Sequence, residues 1–324
     1  MRVGIIGLGG IADKMADTIA MLPDGDDIRL FACASRTFAK AHEFAAKHGV
    51  PRAYGSYVEL MADPLVDLVY IATPHSRHFE DIELALAHDK AFLCEKAFTV
   101  NKRQAAQVLK ECAQKKIFGA EAIWTRYMPS YHFIGKAVAQ RVIGKPLFVQ
   151  ANLGYPISHV ARIQNPALAG GALLDVGVYP LNFAGMVFRD KPSRLVAACT
   201  YSQTGVDESD VISLLYGDGR MAALAATTLG LTDRRGLVVC EEGRIEVDNI
   251  NNPAQVDIFN ATGTKLVSRT FKTLTGYEFE LRECRDGLLH GEIEPHSMPH
   301  AETLRIMGFM DEARKSFGLE YPFE

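Results

Sequence analysis

No single sign of charge dominates the chain. Its 324 residues carry a formal net charge of −4, and that balance gives no reason to expect nucleic acid or an anionic membrane as a partner. Long apolar runs are scarce too. The apolar segments read as short and broken by charge, so no membrane span is expected. The first strand starts at Arg2, which leaves no room for a signal peptide and points to a cytoplasmic protein. The six cysteines, Cys33, Cys94, Cys112, Cys199, Cys240 and Cys284, contain no Cys-x-x-Cys pair. They read as reduced thiols of a cytosolic protein. Tryptophan occurs once, at Trp124. There is no repeat and no low-complexity stretch. What remains is a chain that is 48% hydrophobic, enough for a sizeable core, and long enough for about two domains.

The first dozen residues organise the rest. Arg2 to Ile6 is a short apolar run, Gly7-Leu8-Gly9-Gly10-Ile11-Ala12 follows at once, and Asp13 to Leu22 reads as a helix. Strand, glycine turn and helix in this order open a dinucleotide-binding unit. Gly7 allows the tight turn, and Gly9 lets the backbone approach a pyrophosphate with no Cβ in the way. The N–H groups at the helix start then face the phosphate charge. The third glycine of the usual pattern is Ala12, which the pattern tolerates. The plain alternative is an ordinary strand-to-helix turn.

Strand and helix then alternate about six times, which indicates a doubly wound parallel sheet. The second strand, Ile28 to Ala34, ends in Ser35-Arg36 with no acidic residue at its tip. An Asp or Glu there would bind the ribose 2′-hydroxyl of NAD. Ser35 and the planar, permanently charged fork of Arg36 suit a 2′-phosphate instead. NADP is therefore the expected cofactor, with NAD still admissible, and the alternative for Ser35-Arg36 is a solvated pair at a helix start. The strand Asp67–Ala72 leads into Thr73-Pro74-His75-Ser76-Arg77-His78, a loop expected to line the ligand crevice. His75 and His78 lack a third ligand at metal spacing, so contact with the cofactor or helix-start hydrogen bonding is expected of them, not metal binding. The strand Lys90–Cys94 ends in Glu95-Lys96, and Ile117–Ala122 leads into Trp124-Thr125-Arg126.

From about residue 123 strands dominate: 194–201, 210–216, 221–228, 237–240, 243–247, 255–259 and 265–270, joined by glycine-containing turns. A helix with Pro180 as its kink is expected over 172–187, and closing helices over 279–290 and 303–316. The expected architecture is an N-terminal doubly wound Rossmann domain, residues 1–122. A domain with a large, mostly antiparallel open β-sheet follows, residues 123–324. The runs 211–216 and 221–226 are nearly continuous in apolar character where a one-sided sheet should alternate. That implies two covered faces, one of them by a second copy of the chain, hence a homodimer through this sheet. His296 and His300 lie near Glu292, Glu294 and Glu302, but Pro295 and Pro299 make the stretch a loop without helical ligand geometry. No metal is expected there.

Four ordered features make the chain resemble the Gfo/Idh/MocA family of nicotinamide-dependent oxidoreductases. They are the glycine turn from Gly7 to Ala12, Thr73-Pro74-His75 with His78, Glu95-Lys96, and the run from Gly170 through Asp175 to Tyr179. Tyr179 and the segment 121–127 resemble the branch that holds the dimeric dihydrodiol dehydrogenases and the NADP-dependent D-xylose dehydrogenases. Ala97 departs from the family's usual Glu-Lys-Pro. A cis bond before a non-proline residue costs ~3 kcal/mol, so Lys96 is expected to be aimed differently here.

The resemblance implies hydride transfer between a nicotinamide and a vicinal diol, sugar or small carbonyl compound. It makes Gly7, Leu8, Gly9, Gly10, Ile11, Ser35, Arg36, Thr73, Pro74, His75, His78, Glu95, Lys96 and Arg126 cofactor-binding candidates. Lys96, Asp175 and Tyr179 are the catalytic candidates. Tyr179 would exchange the proton, and a nearby ammonium would bring its ordinary pKa of ~10 down. Lys96 would polarise the substrate oxygen, and Asp175 would hold Lys96 or bind a second hydroxyl. Trp124, Asp175 and Tyr179 are the substrate-binding candidates. Trp124 either walls the pocket or packs an interdomain core, and Arg126 either reaches the cofactor or makes a surface salt bridge. A binder or sensor without turnover needs none of the three catalytic groups. A hydrolase or epimerase that retains its NAD is disfavoured by Ser35-Arg36.

Overall fold

In the first unit of the chain, β1 (Arg2–Ile6), β2 (Arg29–Ala34), β3 (Arg52–Tyr54), β4 (Leu68–Ile71), β5 (Ala91–Glu95) and β6 (Gly119–Ala122) form one sheet in the order β3-β2-β1-β4-β5-β6. Every pairing is parallel. The computed structural model describes residues 1–324. Helices α1 (Gly10–Met21), α2 (Phe38–His48), α3 (Tyr57–Met61), α4 (His75–Ala87) and α5 (Lys102–Lys115) make the crossovers. β4 and β5 are buried at every position, as strands covered on both faces must be. In α5 the buried residues Ala105, Val108, Leu109 and Cys112 follow helical spacing, and Asn101 caps the helix by accepting from Gln104 N–H at 3.0 Å. The strand order reverses between β1 and β4, so the loops after β1, β4 and β5 open at a topological switch point.

This unit comprises residues 1–124 and 273–304. Residues 273–304 were expected in the second domain. Instead, Leu281 and Cys284 of α8 (Glu278–His290) enter the same core as Ile5, Tyr70, Leu93 and Ala120. Arg282 also binds the Asp26 carboxylate through Nε at 3.1 Å and Nη2 at 2.9 Å. An apolar stripe tells that a helix buries one face, but not against which sheet.

The second unit, residues 125–272 and 305–324, contains α6 (Pro129–Ala139), β7 (Pro146–Gly154), α7 (Val178–Val187), β8 (Arg194–Tyr201), β9 (Asp207–Leu215), β10 (Met221–Thr227), β11 (Gly236–Cys240), β12 (Gly243–Val247), β13 (Gln255–Asn260) and β14 (Lys265–Thr270). The eight strands lie in the order β14-β13-β12-β11-β7-β10-β9-β8. Only β7 and β10 pair in parallel. Residues of α9 (His300–Phe317) from 305 onward belong to this unit.

The strands that read as continuously apolar do alternate in space. Ala222, Leu224, Ala226, Ile212 and Leu214 are buried, while Met221 and Val211 are exposed and Ala223, Ala225 and Leu215 are half-buried. Register places Val239, Phe148, Met221 and Leu215 in one outward row, with Leu237, Gln150, Ala223, Ser213 and Val196 in the next. The four central strands therefore present an uncharged outward face, while Arg194 on one side and Arg244, Glu246 and Asp257 on the other continue the rows toward the sheet edges.

One apolar segment is longer than expected: residues 166–187 have the length and hydropathy of a membrane span, but 89% of the most apolar window is buried inside the fold. The helix irregularity also sits elsewhere than expected. Leu173–Gly177 is a wide π-type turn, and the regular helix α7 starts at Val178. Pro180 has no N–H for the carbonyl of residue 176 and its ring crowds that carbonyl, so the disruption lies just before the proline.

Candidate active site

In the first unit, Gly7 has φ +81°, and a Cβ there would lie 2.6 Å from backbone atoms of Ala72 and Thr73. Only glycine accepts both the left-handed conformation and this contact. At Gly9 and Gly10 an added Cβ would meet nothing within 4 Å, so the turn is open on the side where α1 begins. Gly9 caps α1 without a side-chain bond, and the first-turn N–H groups are oriented toward an anion. Leu8 is buried and Ile11 half-buried. This cradle fits a dinucleotide pyrophosphate.

At the end of β2, Ser35 is buried with its N–H on the Tyr54 carbonyl at 3.3 Å, and Arg36 is exposed. The Tyr57 phenol is pushed up by burial and by the Asp81 carboxylate, against the nearby positive charges of Arg36 and Arg77. Arg36 is the charged residue at the tip of β2.

After β4, Thr73 Oγ1 donates to Asp81 at 2.8 Å, and Pro74 occupies the N-cap of α4. His75 is buried, and its ring meets His78 edge-on at 5.7 Å. His78, expected either at the cofactor or in helix-start hydrogen bonding, is wholly buried. Its Nδ1 is 2.9 Å from the Ala97 carbonyl and its Nε2 is 2.8 Å from the Thr73 carbonyl. Burial holds its pKa below the ordinary histidine range. The neutral ring donates to one of these carbonyls and packs against the other, so it fills the space behind the Thr73 and Lys96–Ala97 loops.

Lys96 follows β5 and is half-buried. The Lys96–Ala97 bond is cis, so the substitution of alanine for proline does not remove the cis geometry. Glu95 lies behind Lys96: its carboxylate accepts from the Tyr70 hydroxyl and, at 3.2 Å, from the Lys96 N–H. Glu280, on α8, was not found by sequence reasoning. It is fully buried, with no hydrogen-bond donor on either carboxyl oxygen, and burial together with the charges of Glu95 and Glu278 pushes its pKa well up. Burial without a donor favours its neutral form. Trp124 is buried and stacks on Tyr277, with centroids 4.5 Å apart at 14°.

In the second unit, Arg126 is buried with Nη1 3.5 Å from the Asn182 carbonyl, so it does not lie at the surface. Asp175, in the π-type turn, and Tyr179, on the first turn of α7, are both nearly buried. Arg162 grips the Asp175 carboxylate with Nη1 at 2.9 Å and Nη2 at 3.4 Å. Arg162 was also missed. It lies in an irregular loop with no periodicity, and only the fold brings it to Asp175. Back in the first unit, His296 bonds Glu292 at 3.0 Å, and His300 Nε2 is 2.8 Å from the Gly119 carbonyl.

Residues 1–119 match an oxidoreductase family with an NAD-binding Rossmann fold, and residues 131–246 match the GFO/IDH/MocA C-terminal domain. The chain is 34% identical to the trans-1,2-dihydrobenzene-1,2-diol dehydrogenase of Danio rerio over 329 residues, covering 99% of this chain and 98% of that one. The chain belongs to the Gfo/Idh/MocA oxidoreductase family. The Homo sapiens enzyme of the same name is 31% identical over 339 residues, covering 99% and 98%. Among solved structures of the family fold, a variant of a 3-ketoreductase from Actinomadura kijaniata, in complex with TDP-benzene and NADP, superposes with a TM-score of 0.87 at 23% identity, covering 98% of both chains. An aldose–aldose oxidoreductase from Caulobacter crescentus, complexed with glycerol, gives 0.86 at 22% identity, covering 98% and 97%. Membership makes this chain one of the NAD(P)-dependent oxidoreductases.

Proposed function

We propose that this chain is an NADP(H)-dependent dehydrogenase or reductase acting on a vicinal diol, sugar or small carbonyl compound. The observation that carries the reading is the segment 170–179. It presents a nearly buried Asp175, gripped by Arg162, one turn before a nearly buried Tyr179. The names of the full-length relatives support the substrate class, and the basic, carboxylate-free tip at Ser35-Arg36 supports NADP. Gly7, Gly9 and Gly10 would hold the pyrophosphate, Ser35 and Arg36 the 2′-phosphate, and Thr73, Pro74 and His75 the crevice side of the cofactor. When bound, the nicotinamide supplies or accepts the hydride.

The chain's own work is geometry and proton movement. Tyr179 gives a proton from Oη to a substrate carbonyl, or takes one from an alcohol. Lys96, from the first unit, supplies a positive charge suited to stabilising negative charge on a substrate oxygen. Asp175, aimed by Arg162, binds a neighbouring hydroxyl. We further propose a homodimer through the outward apolar rows of the second unit's sheet.

Tyr179→Phe keeps the ring and removes only the hydroxyl, so it should fold and bind NADPH normally. Turnover should fall by about 10²–10⁴-fold, the usual worth of general acid–base catalysis. Lys96→Met should cost as much, and the double variant far less than the product, because groups acting together are non-additive. Near wild-type kcat in Tyr179→Phe would leave Lys96 as the proton donor. An NADPH oxidation assay on a carbonyl panel that finds no turnover with any substrate would favour a sensor.

A further inference from the structure

The start of the Asp175–Tyr179 segment rests on two carboxyl groups that the reaction does not use. Asp207, at the start of β9, is wholly buried, and its Oδ2 accepts from Leu173 N–H at 2.5 Å. The Ala172 N–H also bonds this carboxylate. Gly171 has φ +117°, and a Cβ there would lie 2.0 Å from Asp207 Oδ1. The carboxylate thus fills the space a side chain would take. Gly171 N–H in turn donates to the Ile163 carbonyl at 2.9 Å, next to Arg162. Residues 170–173 are therefore the joint between the Arg162 loop and the turn that carries Asp175 and Tyr179.

Asp210 lies three residues further along β9, past a register shift in its pairing with β8, also buried, and neither of its oxygens has an N–H or hydroxyl donor. Its one close polar partner is the Asp207 carboxyl. The other titratable groups around the pair do not neutralise it. Cys199 and Tyr201 come from β8. The Tyr321 hydroxyl, from the C-terminal tail, donates to the Gly170 carbonyl at 2.7 Å. Arg314, on α9, binds the Glu324 carboxylate, with Nη2 to Oε1 at 3.0 Å. Two ionised carboxylates cannot touch in such a place without a cation between them.

We propose that Asp207 and Asp210 share a single proton, and that this carboxyl–carboxylate pair positions Asp175 and Tyr179 by holding residues 170–173. Asp210 donates the shared proton, which leaves Asp207 charged toward the Ala172 and Leu173 N–H groups. Asp207 is a positioning residue, and the claim rests on the proposed roles of Asp175 and Tyr179.

The test is infrared spectroscopy of the whole protein at neutral pH, with kinetics of two variants. A protonated carboxyl has a C=O stretch that a carboxylate lacks. Asp210→Asn should delete one such band from the wild-type spectrum, and an unchanged set of acid bands overturns the shared proton. Asp207→Asn replaces a charged acceptor with a neutral one, so kcat should fall about tenfold, the step between hydrogen bonds to charged and neutral groups. KM for NADPH should not change. A folded Asp207→Asn enzyme with wild-type kcat overturns the positioning role. If Asp207→Asn does not fold, the infrared result on Asp210→Asn still decides the proton. Because that band is read without turnover, its loss alongside an active Tyr179→Phe enzyme would defeat the catalytic reading and leave the acid pair standing.

Discussion

Arg162→Met removes the guanidinium that grips Asp175 while keeping an apolar stem of similar length. The pair is bidentate, with contacts at 2.9 and 3.4 Å. Its two ends differ in setting: the Asp175 side chain is 5% exposed and the Arg162 side chain 48%. Breaking a fully buried pair costs ~3–5 kcal/mol, and an exposed pair is worth only ~0–1 kcal/mol. A half-exposed arginine on a buried carboxylate falls between, at about 1–2 kcal/mol, which is roughly 5- to 30-fold in a rate constant. If Asp175 orients substrate, that loss should fall on kcat/KM for the diol or carbonyl and leave NADPH affinity unchanged. The assay is kcat/KM from pH 5 to 9, with NADPH binding followed by fluorescence as the control. Arg162→Lys should restore part of the activity, since it returns the charge without the fork. A fully active Arg162→Met enzyme across this range would refute the assignment of Asp175 to the substrate.

Arg36→Ala should weaken NADPH binding by ~1.5–3 kcal/mol, the range for hydrogen bonds to charged groups, and leave NADH nearly unaffected; equal loss for both in a titration would remove Arg36 from the 2′-phosphate. Ala223→Glu places a charge in the outward row of the sheet and should give monomer by sedimentation, whereas Leu224→Glu strikes the buried face and should give insoluble protein; a wild-type monomer at micromolar concentration would end the dimer proposal. Glu280 is an acid whose folded pKa is raised, so its contribution to stability is complete below the unfolded value of ~4.3 and is lost as pH rises toward the folded value, at up to ~1.4 kcal/mol per pH unit. Glu280→Gln lacks this loss, so its stability relative to wild type should improve from pH 5 to pH 9 in denaturant titrations; parallel curves would contradict a neutral buried acid.

Much of this molecule was legible in one dimension because its signals are local. A strand, a glycine turn and a helix are adjacent in the chain, so residues 1–22 announced the cradle for a pyrophosphate. Alternation of buried strands with amphipathic helices announced the parallel sheet, and the order of Gly7, Thr73, Lys96, Asp175 and Tyr179 announced the family. Even the apolar outward rows of the second sheet were visible, though which residue of each pair faced outward was not. Period alone does not say which side of a sheet is core, and only register with α7 behind it separates Ala223 from Leu224.

What the tertiary structure decided are the contacts between groups distant in sequence. His78 read as a cofactor contact or a helix-start hydrogen-bonding group, and only the fold sets its two ring nitrogens against carbonyls at residues 73 and 97. Arg162 reached Asp175 only because the glycine joint at 170–171 folds one loop onto the next. Glu280 and Asp210 looked like ordinary polar positions of a helix and a strand. A carboxyl group's character is set by what surrounds it in space, and burial without a donor made both of them neutral candidates. Residues 273–304 joined the first unit for the same reason: a helix carries its apolar stripe in its sequence, but the surface that stripe covers exists only once the sheet has folded.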